Sequence, residues 1–238
     1  MNIIACVNNS WGIGNKGDLL FKIPQDMRFF KDKTYCKTVI YGRKTMEGFP
    51  GGKPLVGRNN IVITSKLEHL DEKVEHSAHI FGSITKFMTP KDTVPCDGKL
   101  IDIGNRALIA IRDQSGEDPE KYPKLSARTN LFAAKSIKDA ITMANILEMD
   151  TRNVFICGGA SIYEQFLPFC EYAYITKVDS DREADAFMPN LDKMDNWEYM
   201  SEGFINHDNG EDVNFKMMCI YRNKDSSYFY KKEYNSWM

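Results

Sequence analysis

Short apolar runs rich in β-branched residues recur along this chain, and helical patterns separate most of them. Asn2–Val7, Thr38–Tyr41, Asn60–Ile63, Asn130–Ala134, Asn153–Cys157, Tyr172–Val178 and Phe215–Tyr221 read as strands. One helix opens at Pro24, a residue tolerated in a first turn because its missing N–H has no helical partner there. A short one opens at Gly42-Arg43-Lys44-Thr45. Ser136–Glu148 is amphipathic, with Ile137, Ala140, Ile141, Ala144 and Leu147 at helical spacing and Ser136 as N-cap. A fourth follows Gly158-Gly159 and runs through Leu167. This alternation predicts an α/β domain: a largely parallel central sheet flanked by helices, closed by antiparallel C-terminal strands. Ligands of such sheets sit outside the carboxyl ends of the strands. The distinctive motifs, at Val7, Tyr41, Ile63, Cys157 and Thr176, lie at or just past those ends.

Composition narrows the function. The 238 residues are 42% apolar and 27% charged, as in an ordinary soluble globule, and the net charge of −2 offers no basic excess for a nucleic-acid backbone. No apolar run is long enough to span a bilayer, and the N-terminus is a strand pattern with no basic leader. Six scattered cysteines form no C-x-x-C pair and fit reduced thiols in a cytoplasmic protein.

The stretch from Ile13 to Lys31 carries the chemistry. Gly12-Ile13-Gly14-Asn15-Lys16-Gly17 matches G-x-G-x-x-G, but the dinucleotide fingerprint requires a helix to open there. Asp18–Lys22 instead continues as loop, so the glycines read as hinges of a mobile segment. Asp26 falls in the first turn of the Pro24 helix, among Ile23, Met27 and Phe30. A carboxylate amid apolar groups is costly without a partner, which suggests a ligand rich in hydrogen-bond donors; a helix N-terminus also favours an acid for its own sake. Gly42-Arg43-Lys44-Thr45 lacks the upstream glycine of a P-loop, yet two cations and a hydroxyl at a helix start suit an anion. Strand-Gly158-Gly159-helix is a similar signal.

Taken together, Asn2–Val7, Ile13-Gly14, Phe21, Asp26, Phe30, the block Ile40–Thr45 and the block Val154–Tyr163 resemble the dihydrofolate reductase family, over residues 1–66 and about 130–222. The resemblance implies NADPH-dependent reduction of 7,8-dihydrofolate. It implies that Asp26 grips the pterin, that Thr176 hydrogen-bonds that carboxylate, and that Phe21 stands beside them. Leu20-Phe21 replaces the Pro-Trp common in the family, so the indole donor is missing. Ile4, Cys6, Met27, Phe30, Phe49, Leu55 and Cys157 would line the substrate. Arg58 would pair with its α-carboxylate, where a planar guanidinium offers two parallel donors. For the cofactor the resemblance implies Ala5, Ile13, Gly14, Gly42, Arg43, Lys44, Thr45, Thr64, Ser65, Lys66, Gly158, Gly159, Ala160, Ser161, Ile162 and Tyr163, with a cis peptide at Gly158-Gly159. Ser161 stands at a position often basic in the family.

Residues 67–129 depart from the family pattern as an insertion of roughly sixty residues, inside a domain expected over 1–222. Within it, Leu100–Ile103, Gly104-Asn105 and Ala107–Ile111 read as a hairpin. His76 and His79 alone do not make a metal site, and no metal is expected. Residues 223–238 read as a C-terminal extension that could dock on the domain or on a protein partner. Two alternatives stay open: the pyrimidine reductase of riboflavin synthesis, which shares this fold, and a silent binding module that uses the insertion.

Overall fold

The structure is a computed structural model that describes residues 1–65, 95–96, 99–100, 129–204 and 216–225. In chain order its strands are β1 (Asn2–Val7), β2 (Gly12–Asn15), β3 (Asp18–Leu19), β4 (Thr38–Gly42), β5 (Asn59–Ile63), β6 (Pro95–Cys96), β7 (Lys99–Leu100), β8 (Asn130–Ala134), β9 (Val154–Ile156), β10 (Tyr172–Val178), β11 (Ala186–Phe187), β12 (Trp197–Phe204) and β13 (Lys216–Asn223). The helices are α1 (Pro24–Thr34), α2 (Arg43–Glu47), α3 (Ile137–Leu147) and α4 (Ala160–Phe166). The chain divides into two compact units, Met1–Lys33 with Phe155–Met238, and Thr34–Val154.

In the first unit β1 is central. It runs parallel to β10, from Asn2↔Tyr172 to Val7↔Lys177, and parallel to β9 on its other side. A strand flanked in this way buries both faces, which is why its sequence is nearly all apolar: Ile3 and Val7 are fully buried. β10 then pairs antiparallel with β13, and β13 with β12, where a bulge falls between Tyr199 and Ser201. In the second unit β4, β5 and β8 run parallel, in register Thr38↔Asn59↔Asn130. Those three residues form a polar ladder: Asn130 Nδ2 donates to Asn59 Oδ1 at 2.8 Å, Asn59 Nδ2 donates to Thr38 Oγ1 at 3.4 Å, and Thr38 Oγ1 donates onward to Glu148 Oε1 at 2.7 Å. α3 packs on β4, β5 and β8, burying Ala140, Ile141, Met143 and Ala144. The Ser136 side chain caps it by accepting from the Asp139 amide at 3.1 Å. The parallel pairs and the antiparallel C-terminal strands agree with the α/β reading.

The glycine-bearing segment differs from the sequence reading. It is a hairpin rather than a hinged loop: β2 pairs with β3, and β11 adds on the other side of β2. Lys16 (φ 52°) and Gly17 (φ 87°) form its two-residue turn, whose backbone matches strand twist. Gly12 serves close approach, because a Cβ there would lie 2.4 Å from the Ala184 Cβ. Of the hairpin expected over Leu100–Ile111, only Leu100 lies within the described residues, in β7 opposite Pro95.

Candidate active site

The face of β1 that carries Ile4 and Cys6 meets Thr176, the register partner of Cys6 on β10. Thr176 is buried, and its hydroxyl donates to Asp26 Oδ1 at 2.6 Å. Asp26 itself, in the first turn of α1, is half-buried. Two residues back along β1, the Ile4 carbonyl accepts from the Tyr163 hydroxyl at 2.8 Å. Burial pushes the Tyr163 phenol well above its ordinary range, and Cys157, Asp26 and Cys6 add in the same direction. The hydroxyl therefore stays protonated and keeps donating. Cys157 lies one residue past β9, half-buried. The Gly158-Gly159 peptide is cis, and Gly158 adopts φ 103° with its α-carbon facing the Tyr163 ring. Phe21 is buried with Leu20, Ile23 and Val178, and Cys6 packs against that cluster.

In the second unit the strand ends carry cations and hydroxyls. Arg43 opens α2 and pairs with Glu47 one turn on; Lys44 and Ser65 are exposed, Thr45 is half-buried and Thr64 is buried. The N-caps of α2 and α4, Gly42 and Gly159, offer no side chain to the first-turn amides. Between β4 and β5, Arg58 is only 6% exposed. Its Nε donates to Thr34 Oγ1 at 2.8 Å and one terminal nitrogen donates to the Val56 carbonyl at 2.6 Å. These bonds fix the plane of the guanidinium. Phe49 packs edge-on against Tyr41, with ring centroids 5.0 Å apart. Among the described residues no group of three or more His, Cys, Asp or Glu could hold a metal ion, and no helix is long and apolar enough to cross a membrane.

The family model for dihydrofolate reductase matches residues 1–104 and 121–222. The chain belongs to the dihydrofolate reductase family. It is 26% identical over 200 residues to the dihydrofolate reductase of Drosophila melanogaster, covering 80% of this chain and 79% of that one. It is 26% identical over 200 residues to the bifunctional dihydrofolate reductase-thymidylate synthase of Glycine max, covering 80% of this chain but only 28% of that longer protein. The fold is that of a dihydrofolate reductase from Enterococcus faecalis complexed with NADP(H) and RAB-propyl: TM-score 0.60 at 21% identity, over 94% of this chain and 96% of that one.

Against the family pattern, Ile4, Phe21 and Thr176 are buried, and Ala5, Cys6, Ile13, Asp26, Phe30, Phe49, Leu55 and Cys157 half-buried. Met27 is 46% exposed on α1, a mostly polar helix that fully buries only Thr34. Gly14 is buried in β2, and Ile162 and Tyr163 are buried in α4, while Ser161 is exposed. Lys66 lies outside the described residues.

The sequence reading passed over Asn60. This wholly buried side chain takes part in five hydrogen bonds: Oδ1 accepts from the Tyr41 hydroxyl and the Leu55 amide, and Nδ2 donates to the carbonyls of Leu55, Arg58 and Asn130, all within 3.0 Å. It fastens the Leu55–Arg58 turn to the strands and so places Arg58. Asn8 does the same beyond β1, accepting from the Gly12 amide at 2.7 Å and donating to the Arg182 carbonyl at 2.8 Å. The available signal was a polar residue in or beside an apolar strand, which must find a partner when buried.

Proposed function

We infer that this chain reduces 7,8-dihydrofolate to 5,6,7,8-tetrahydrofolate with NADPH, within one-carbon metabolism and in the cytoplasm. The observation that carries the reading is the carboxylate of Asp26, held by the Thr176 hydroxyl at the carboxyl ends of β1 and β10 in a member of this family. When bound, NADPH supplies a hydride from its reduced nicotinamide to C6 of the pterin.

The residues present fit that cofactor. Gly158 lies at φ 103°, where a Cβ would meet the Tyr163 ring at 3.1 Å, so the strand-to-helix turn expected to meet the cofactor requires glycine there. Ala5, Ile13, Gly14, Gly158, Gly159, Ala160, Ile162 and Tyr163 are assigned to the nicotinamide side. Gly42, Arg43, Lys44, Thr45, Thr64, Ser65 and Lys66 are assigned to the phosphates, with Ser161 a neutral position nearby.

Asp26 accepts hydrogen bonds from N3–H and the 2-amino group of the pterin. Its charge favours a proton at N5, delivered by water, so that one hydride and one proton complete the reduction. Thr176 spends its donor on one carboxylate oxygen and fixes the orientation of the other. Phe21, with Leu20 and Ile23, excludes bulk water. Ile4, Cys6, Phe30 and Cys157 form apolar walls. In the second unit, Arg58 is assigned to the α-carboxylate of a folate, and Phe49 and Leu55 to its aminobenzoyl ring, by the family resemblance alone. Among the described residues, Cys6, Cys36, Cys157, Cys170 and Cys219 are in no disulfide, which suits a reducing compartment.

The test is the loss of NADPH absorbance on adding dihydrofolate, with methotrexate as competitor. Turnover that methotrexate blocks is the expected result. Oxidation of NADPH by a pyrimidine substrate alone, or no oxidation at all, overturns the reading.

A further inference from the structure

Both roots of the β2–β3 hairpin are fastened to one exposed residue in the β10–β11 connection, Arg182. At the first root, Asn8 Oδ1 accepts from the amides of Ser10 and Gly12 at 3.0 and 2.7 Å, and Asn8 Nδ2 donates to the Arg182 carbonyl at 2.8 Å. At the second root, the Arg182 guanidinium donates to the Leu20 carbonyl at 2.9 Å. Its central carbon lies 5.4 Å from the centroid of the Phe21 ring, within reach of a cation–π contact. The Leu20 amide in turn donates to the Ile13 carbonyl at 3.2 Å, which closes the hairpin above that link. The Arg182 amide donates to Ser180 Oγ at 3.2 Å, so the residue is itself held in place. Leu20-Phe21 is the first half of the four-residue link from the hairpin to the helix that carries Asp26.

We propose that Arg182 is a positioning residue of the reductase site: its side chain locks the Leu20-Phe21 link and thereby the hairpin, while its backbone holds the opposite root through Asn8. A phenyl ring at position 21 has no donor with which to fix its own orientation, and the guanidinium supplies both the face contact and the carbonyl bond. The exchange test stands alone; only the kinetic test rests on the reductase reading.

Arg182→Ala removes one root and leaves the other. Amide hydrogen exchange of the full chain without ligands should speed up about 5- to 20-fold at Leu20, whose amide is held by the Ile13 carbonyl, with amides of β1 and β10 unchanged. Arg182→Lys, which keeps a charged donor, should recover part of the protection. In turnover, Arg182→Ala should raise KM for NADPH about 5- to 20-fold with kcat changed less, and leave the pH profile of kcat unmoved. Wild-type exchange rates in the hairpin of Arg182→Ala overturn the proposal. So does an equal acceleration in β1 and β10, or an Arg182→Lys variant no better than alanine. If the wild-type chain does not oxidise NADPH with dihydrofolate, the reductase reading fails, while the exchange result still decides what Arg182 holds.

Discussion

Replacing Asp26 with Asn changes almost nothing but charge. The side chain keeps its shape and an oxygen that can still accept from Thr176 at 2.6 Å. Its second oxygen becomes an NH2 group, which would face the pterin's own N–H donors. Two charge-assisted hydrogen bonds are lost, each contributing about 1.5–3 kcal/mol. Together they come to about 3–6 kcal/mol, or roughly 10²- to 10⁴-fold in kcat/KM. The assay is the initial rate of NADPH absorbance loss at neutral and acid pH. The deficit should be full at neutral pH and narrow in acid, where dihydrofolate enters already protonated. Asp26 is only half-buried, so the far-UV spectrum should not change. Thr176→Val, nearly isosteric, supplies the control. Alone it should cost about 10- to 150-fold, the worth of one hydrogen bond to a charged group. In the Asp26→Asn background it should cost about 3-fold or less, since the charge it served is gone. An Asp26→Asn enzyme turning over within about 3-fold of wild type at neutral pH would refute the reasoning, because no pair of charge-assisted bonds is worth so little.

Asn60→Leu should destabilise the chain by about 3–5 kcal/mol, since it leaves several buried backbone groups and the Tyr41 hydroxyl without their partner; thermal melting checks this. Gly158→Ala should lower NADPH affinity more than 10-fold, as a residue at φ 103° with Tyr163 atoms 3.1 Å from its Cβ must shift the backbone; cofactor fluorescence titration reads it. Glu148 has its carboxyl raised, by burial first, against the lowering effect of hydrogen bonds from Thr38 and Asn153 and of the Lys37 charge. A raised carboxyl contributes stability only below its unfolded pKa and loses it as pH rises through the folded one. Glu148→Gln should therefore raise Tm at neutral pH, and the gain should vanish below about pH 4.

The strands were readable because their signal is local. Asn130–Ala134 and Tyr172–Val178 fall where the apolar, β-branched pattern put them, and Ser136 caps the helix its spacing predicts. The hairpin over Gly12–Leu19 was not readable, for two reasons. Its turn uses Lys16-Gly17 rather than the usual Asn-Gly, and its other partner, β11, lies about 170 residues away. Asp26 could be seen as a carboxylate in want of a partner, but only resemblance named Thr176. The long-range polar fastenings share one physical mark. Asn8, Asn60, Thr176 and Asn223 are polar residues in or beside apolar strands, and each is almost fully buried. Burying an amide or hydroxyl without a hydrogen bond costs more than most single contacts return, so each such residue implies a partner elsewhere in the chain. Each has one: Asn8 on Arg182, Asn60 on the Leu55–Arg58 turn, Thr176 on Asp26, and Asn223 on the carbonyls of Leu167 and Cys170. Such residues reveal that a long-range contact exists, but periodicity carries no information about which distant segment supplies it. That is why the elements of this site could be read one by one while the bonds that join them could not.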